Sequence, residues 1–248
     1  IKMSYPRDFY FQASSGEIRG LEAVNKFGSN LDIDTASAPE TLWSTGGLYV
    51  FPTTSGSISV VSSSANDAAA GTGARTIVVE GLDENYREIT ETFTMDGINP
   101  VNSSLWNNWL RVYRTFVTSA GTGEVNAGDI TITRGALTVA TIPTDLGQTQ
   151  MAVFTIPEDK KGYIVSITGS LLRTGGNNIS ANVGLYCRGN GVKRLRYEFT
   201  VQTTGSTTFT KHFKSPIVVD EKTDLYLNAL DVSANGVGVF GSFTVLVQ

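Results

Sequence analysis

The chain has 248 residues, of which 40% are hydrophobic and 17% are charged. The formal net charge of −4 disfavours a groove for nucleic acid, because such a groove needs an excess of Lys and Arg. The single cysteine, Cys187, excludes an intrachain disulfide, so burial must supply the stability of the fold. No apolar run approaches the length of a membrane span, and the first residues lack the apolar core of a signal peptide, so we expect no membrane contact.

Residues 1–42 are predicted to form an extended N-terminal arm. Tyr5, Phe9, Tyr10 and Phe11 lie close together there, without a sustained helical or strand period. Such an arm cannot bury its aromatic rings alone, so it lies either against its own sandwich or against a neighbouring molecule. Both alternatives stay open at this point, and the four aromatic residues are candidate subunit contacts.

Strand signals begin at Trp43 and continue with few breaks. The segment REITETFTM, residues 87–95, alternates between apolar and polar positions, which is typical of a strand with one buried face. The segment NSSLWNNWL, residues 102–110, is the one place that could hold a helical turn. Polarity rises over residues 144–150 and the strand pattern then restarts, so we predict a β-sandwich domain over residues 43–146.

Residues 147–248 are predicted to form a second domain, since about seven or eight short strands in this length match a jelly roll or a related sandwich. The predicted fold class is therefore all-β, with two tandem β-sandwich or jelly-roll-like domains after the arm. The runs ISANVGLYC (residues 179–187) and VGVFGSFTVLVQ (residues 237–248) carry no charge. Each is either a central strand or an edge strand that another subunit covers.

The Gly-rich segment GTGAR, residues 71–75, raises the question of a phosphate-binding loop. A Walker loop needs a Lys-Ser/Thr pair that opens a helix, and the dinucleotide fingerprint needs a third glycine and a helix. Here Arg75 leads directly into an apolar strand. The segment AGTGEVNAGDITI, residues 120–132, likewise has a Gly-rich part followed by a strand pattern. We therefore interpret the glycines as a flexible turn between two antiparallel strands, with no cofactor implied.

Residues for catalysis or metal binding are few. His212 is the only histidine and lies in a strand pattern between Lys211 and Phe213, and the chain has no Gly-x-Ser-x-Gly elbow. One histidine and one cysteine are too few for a zinc site. The sequence therefore indicates a protein that is not an enzyme, with no catalytic residue, metal or cofactor.

Two acidic positions carry structural expectations. Asp83-Glu84-Asn85 is predicted to be a hairpin turn in which the Asp and Asn side chains cap backbone amides. Glu91 lies on the apolar face of its strand, and if that face is buried it needs a partner. Arg75, Arg87 and an arginine of another subunit are the candidates.

Basic residues gather between Arg188 and Lys214. Strand alternation places Arg194 and Arg196 on one face of their strand. A solvated rim and a contact with an acidic partner surface are both open interpretations, and these two arginines are candidate partner contacts.

A series of short motifs runs through most of the chain: GEIRG, VNKFGSNLDID, LWSTGGLYVFPT, ETFTMDG, AGTGEVNAGDITI and VFTIPEDKKGYIV. In this order they resemble a family of tailed-bacteriophage virion proteins, most strongly from Gly16 to Thr133. Arg19 is a departure, since many relatives carry Pro there. The resemblance implies a structural component of a virion, and its motifs are structural turns that imply no catalytic residue.

The expected function is a capsid decoration or cement protein on the phage head surface, made in the bacterial host cytoplasm. Its expected partners are the major capsid protein and further copies of itself in a homotrimer, because sandwich domains leave edge strands that need covers. A tail, neck or fibre component is one alternative. A receptor- or glycan-binding module is another, in which Tyr163, Tyr186 and Tyr197 could supply platforms for host-surface sugars.

Overall fold

β-Branched and aromatic residues alternate with polar ones between turns that contain Gly, Asn and Asp. This pattern favours strands along almost the whole chain. A computed structural model describes residues 9–172, 178–204 and 207–248. Across these ranges it contains sixteen strands and one short helix, which confirms the all-β prediction. The strands form four antiparallel sheets, arranged as two sandwiches.

The helix α1 covers Phe9–Ser14. In the first half of the chain the strands are β1 (Glu22–Ile33), β2 (Glu40–Thr41), β3 (Ser59–Ser62), β4 (Ala74–Asp83), β5 (Glu88–Thr94), β6 (Val101–Asn102), β7 (Trp109–Ala120), β8 (Ile130–Arg134) and β9 (Leu137–Ile142). In the second half they are β10 (Val153–Thr155), β11 (Gly162–Leu172), β12 (Ser180–Gly189), β13 (Val192–Gln202), β14 (Thr208–Val219), β15 (Asp224–Val232) and β16 (Val237–Val247).

The C-terminal sandwich has one sheet of order β1-β16-β11-β14 and a second of order β10-β15-β12-β13, with β2 beside β15. Side chains from the two sheets meet in a core whose fully buried members include Ile167, Leu227 and Phe243. Both sheets present apolar residues at alternate positions to this core, as aligned sandwiches do.

The N-terminal sandwich has sheets of order β6-β3-β8-β9 and β5-β4-β7. Trp109 and Ile132 are fully buried in its core. In β5 the alternation expected from the sequence is complete, because Ile89, Glu91 and Phe93 are buried and the residues between them are exposed.

The predicted arm over residues 1–42 is wrong for residues 22–33, which form β1. This strand pairs antiparallel with β16, from Glu22 opposite Val247 to Ile33 opposite Val237. Lys26 and Asn30 occupy buried positions on β1, and these polar residues interrupt the apolar period from which the strand would have been predicted. The segment therefore belongs to the C-terminal sandwich of its own chain.

The helix and the predicted helical turn lie in different places. The helix α1 packs through Ala13 against Val165 and Leu246, on the outer face of the first sheet. The turn expected over residues 102–110 is wrong, because that segment contains strand residues and a loop without helical structure. Backbone amides of the loop bind Glu91 instead of continuing a helix.

The two uncharged runs are central strands. β12 lies between β15 and β13, and β16 lies between β1 and β11, so strands of the same chain cover them. The edges β1 and β10 face the N-terminal sandwich, whereas β13 and β14 form the opposite edge of the C-terminal sandwich. Exposed Lys and Arg side chains on these two strands blunt that edge.

The two Gly-rich segments pack against each other and are not the predicted turn between paired strands. β3 and β4, which flank the first segment, belong to different sheets. A Cβ atom on Gly73 would overlap the Asp67 carboxylate, and one on Gly121 would overlap the backbone of Gly71 and Thr72. These glycines are needed for close approach, because neither has a positive φ.

Candidate functional site

The candidate contact residues of the N-terminus are only partly described. Tyr5 lies outside the described residues. Phe9, at the start of α1, is 50% exposed. Tyr10 and Phe11 follow on the same helix, but their side chains lie outside the described part of the structure.

The candidate residues Arg194 and Arg196 belong to an exposed basic surface, which we call the basic edge. It consists of Lys193, Arg194 and Arg196 on β13 and Lys211 and Lys214 on β14, all exposed. The two strands pack through aromatic rings: Phe199 and Phe209 stack with centroids 4.4 Å apart, and Tyr197 and Phe213 meet edge to face with centroids 5.3 Å apart. This packing brings the cations of the two sheets to one end of the molecule.

The two arginines border the same small recess of about 110 Å³, together with Cys187, Asp220 and Glu221. A β-bulge at this point pairs Tyr186 with Leu195 and Leu185 with Tyr197, which leaves Arg196 as the extra residue. Burial raises the pKa of the Cys187 thiol to about 11, so this sulfur is not a thiolate at neutral pH.

The boundary between the two sandwiches, which we call the seam, contains a buried ion pair. Arg111 of β7 donates to Asp224 of β15 through Nε at 2.9 Å and Nη2 at 3.1 Å. Asp224 also accepts from the Thr155 hydroxyl at 2.7 Å, and Arg111 donates to the carbonyl of Pro52. The pair is thus hydrogen-bonded on both sides, which a buried charge requires.

Aromatic rings surround this ion pair. The Arg111 guanidinium lies 5.4 Å from the ring centroid of Phe51 and 5.5 Å from that of Tyr86. Phe51 contacts Tyr226, which stacks on Tyr186 at 5.5 Å. Apolar rings and paired charges therefore fill this part of the seam.

The three tyrosines expected as sugar platforms are engaged in packing. The Tyr186 ring has Tyr226 on one side and the Lys193 ammonium 4.0 Å from its centroid. Tyr197 packs against rings of β14, and Tyr163 is half-buried beside α1. All three rings are partly buried by these contacts.

Another part of the seam encloses a cavity of about 280 Å³, which we call the seam cavity. It lies between β1 and β10 of one sandwich and β4, β5 and β7 of the other. Its lining residues are Glu22, Ala23, Val24, Asn25, Lys26, Glu80, Glu88, Thr90, Tyr113, Arg114 and Phe154. Lys26 is 5% exposed, and its ammonium group donates to the backbone carbonyl of Tyr113.

The electrostatic environment of Lys26 favours a neutral amine. Burial removes the hydration that stabilises the ammonium ion, and Arg114 adds repulsion, whereas Glu80 acts in the opposite direction. Together they lower the pKa of Lys26 from 10.5 to about 7. The nearby carboxylates already pair with other cations: Glu80 lies 3.8 Å from Arg114, and Glu88 lies 2.6 Å from Lys160.

Two further carboxylates are buried without any arginine. Glu91 accepts from the amides of Ser104, Leu105 and Trp106 at 2.7 to 3.3 Å, so Arg75 and Arg87, the partners expected within the chain, are wrong. Asp67 is fully buried and accepts from four donors, namely the amides of Ala74, Ala127 and Gly128 and the hydroxyl of Ser62. Backbone amides thus neutralise both charges locally.

The hairpin turn is confirmed for Asp83, whose carboxylate accepts from the amides of Asn85 and Arg87 at 2.8 and 2.9 Å, and Asn85 takes part through its backbone amide. His212 is exposed on β14 opposite Ser166. Within the described ranges, no cluster of three or more His, Cys, Asp or Glu residues has metal-binding geometry. No helix in the same ranges is long and apolar enough to cross a membrane.

Sequence reasoning missed Lys26, Arg111 and Asp224. Each is a charged residue within the apolar pattern of a strand, as in LRVYR around Arg111 and TDLYL around Asp224. That signal was readable for Arg111, whose strand was predicted. It is not readable for Lys26, because the sequence predicts an arm over the residues that form β1.

No protein-family model matches the chain, and no curated protein matches it. Among solved structures, the VP2 subviral particle of infectious bursal disease virus is 11% identical, and the alignment covers 98% of this chain and 78% of that chain with a TM-score of 0.20. The Gt strain of the same virus gives 9% identity, 98% and 74% coverage and a TM-score of 0.20. These TM-scores are too low for the likeness to carry an argument about fold or function.

Proposed function

We propose that the chain is a non-enzymatic structural component of a tailed-bacteriophage virion, acting as a capsid decoration or cement protein on the head surface. The observation that carries the proposal is the Arg111–Asp224 pair with its surrounding rings. These contacts join the two sandwiches into one unit, which suits a structural role. The motif series of the sequence supports the same role.

The basic edge supplies the surface for a partner. The chain has 23 acidic and 19 basic residues overall, yet six Lys or Arg and only one Glu lie between Arg188 and Lys214. An uneven distribution of this kind orients a protein on an acidic surface and accelerates its association. The proposed partner is therefore an acidic face of the major capsid protein, with Arg194 and Arg196 at the contact.

A homotrimer remains part of the proposal, although its support has changed. β12 and β16 need no second subunit, because neighbouring strands cover them. Candidate surfaces for subunit contact include the basic edge and the α1 region, where Phe9 is half exposed. Like charges on the basic edge disfavour its pairing with a second copy of itself, so the α1 region is the proposed subunit interface.

Electron microscopy of virions combined with a quantitative gel tests the location. The proposal expects density for both sandwiches outside the head shell and hundreds of copies per particle. Density confined to the tail, neck or fibre, with few copies, would establish the alternative structural role and refute the decoration role.

A second candidate function, glycan binding, is favoured by one surface. A groove of about 230 Å³ crosses the outer face of the first sheet, where Phe27 and Phe240 lie beside hydroxyls of Thr168, Ser170 and Ser242. Aromatic rings beside hydroxyl groups can bind sugars by stacking and hydrogen bonding. A glycan array decides this point: binding that Phe27→Ala abolishes would support it, and an array without binding would dismiss it.

A further inference from the structure

Lys26 is a buried lysine that lines a cavity. Its side chain extends from β1 across the seam to the carbonyl of Tyr113 on β7, and it forms part of the wall of the seam cavity. The volume of about 280 Å³ accommodates a molecule of a few carbon atoms. Glu22, on the cavity wall, is 59% exposed, so the cavity has a wall that reaches solvent.

We propose that Lys26 is a nucleophilic amine that binds small neutral aldehydes covalently, as an imine, in the seam cavity. This inference goes beyond the structural role proposed above and does not depend on it. It rests on the position of the amine, its hydrogen-bond partner and the composition of the cavity wall.

The hydrogen bond to Tyr113 orients the amine for attack. A neutral amine has two N–H groups and one lone pair, and the carbonyl of Tyr113 accepts one N–H. The lone pair and the second N–H are then left for the cavity. Desolvation maintains a lysine nucleophile in this way, because it disfavours the ammonium form.

Charged groups come from four of the five strands that line the cavity, since β10 contributes only Phe154. Arg114 of β7 opposes a positive charge on the amine, and Glu80 of β4 favours it, with burial as the largest effect. Glu88 of β5 and Glu22 of β1 line the same cavity and lie 2.6 and 3.9 Å from Lys160. The three carboxylates of Glu22, Glu80 and Glu88 thus outnumber the two other cations, Arg114 and Lys160. This excess of negative charge repels an anionic aldehyde and accepts a neutral one.

The proposed reaction conserves atoms and charge. The Nζ lone pair attacks the carbonyl carbon, a C–N bond forms, the C=O π bond breaks, and a proton from nitrogen moves to the oxygen. The resulting carbinolamine loses its hydroxyl group and the remaining N–H proton as water, which leaves the C=N bond of the imine. No oxidant or reductant takes part in this step.

The test traps the imine in the full chain with glycolaldehyde and sodium cyanoborohydride, whose hydride converts it to a stable secondary amine. Peptide mapping then follows a hydroxyethyl group on each lysine as a function of pH. At pH 7 about half of Lys26 is neutral, whereas only about 1 in 10³ to 10⁴ of an ordinary lysine is. We expect labelling at Lys26 to be at least ~10-fold faster than at the exposed Lys211, with a rate that levels off above about pH 8.

Variants keep the assignment specific. Lys26→Met, which resembles the neutral amine in volume, should lose this fast label, and Lys211→Met should keep it. Two results would overturn the proposal: an unmodified Lys26 beside labelled surface lysines, and a Lys26 rate that keeps rising tenfold per pH unit up to pH 10. Faster labelling by the anionic aldehyde glyoxylate than by glycolaldehyde would overturn the neutral substrate class.

Discussion

Two buried cations lie at the same seam and carry their charge differently. Arg111 faces the Asp224 carboxylate, with side chains 5% and 4% exposed, and a hydroxyl and a carbonyl complete the hydrogen bonds. Lys26 faces a carbonyl oxygen and a like-charged neighbour, and the pKa of its amine falls to about 7. The difference shows that Arg111 has an anion in place of its lost hydration, whereas Lys26 lacks one and its amine is shifted towards the neutral form.

The largest expected effect is the loss of the anion at the seam. Asp224→Asn leaves the Arg111 charge buried without a counterion, and breaking a buried pair in this way costs about 3–5 kcal/mol. Urea unfolding measures the change. The matched control, Asp220→Asn, removes an exposed carboxylate that is 3.8 Å from Lys161 and should leave the urea midpoint unchanged. Equal effects of both variants would contradict the account of the seam.

Removal of the second cation should have the opposite sign. Because the folded pKa of Lys26 is below its unfolded value, the penalty for burying the ammonium group is complete below pH 7 and disappears as the pH rises towards 10.5. We expect Lys26→Met to stabilise the fold by about 1–4 kcal/mol at pH 6. The difference in unfolding free energy between Lys26→Met and the wild type should decrease by about 1.4 kcal/mol per pH unit above pH 7.

Urea unfolding at several pH values measures this gap. Lys161→Met, which removes a half-exposed lysine, serves as the control, and its stability difference from the wild type should stay constant over the same pH range. A pH-independent gain for Lys26→Met would show that its amine is not buried in the way described.

A buried anion without a cation extends the comparison. Glu91→Gln replaces an acceptor of three backbone amides by a group that presents an NH₂, so a favourable contact becomes unfavourable. The expected loss of unfolding free energy is about 1–3 kcal/mol. Glu124→Gln, at an exposed position, should change the thermal midpoint little. A stable Glu91→Gln protein would mean that these amides do not depend on the negative charge.

The smallest effect on stability is expected at the basic edge. Arg194→Gln with Arg196→Gln removes exposed charges, which alters the unfolding free energy by about 0.5 kcal/mol or less. Binding should change much more, because the proposed partner is recognised by charge. Urea unfolding measures the stability, and particle binding at two salt concentrations measures the charge-dependent contact. A destabilised double variant would mean that these arginines hold the fold.

The sequence predicted regular strands and missed irregular polar ones. β5 was predictable because its residues alternate strictly between exposed and buried positions. β1 was not, since Lys26 and Asn30 point into the protein and only long-range partners make that possible: the Tyr113 carbonyl for Lys26 and the Glu40 carboxylate for Asn30. Local pattern reasoning has no access to such partners.

The same limit applies to the site. The sequence indicates that the glycines of GTGAR are structural. They are needed because residues 120–132, from a distant part of the chain, approach them closely. Arg194 and Arg196 were recognised as a pair, whereas the bulge that sets their geometry depends on the register with β12. Composition and period predicted the fold class, and the tertiary pairing of charges had to be read from the structure.

The decoration role is tested most directly by adding the isolated protein to phage heads that lack it and following DNA release on heating. The account predicts that wild-type protein binds the heads and raises the release temperature, and that the Arg194→Gln, Arg196→Gln variant does so only at higher protein concentration. Heads that bind no protein, or that release DNA at an unchanged temperature after binding it, would contradict the proposed role.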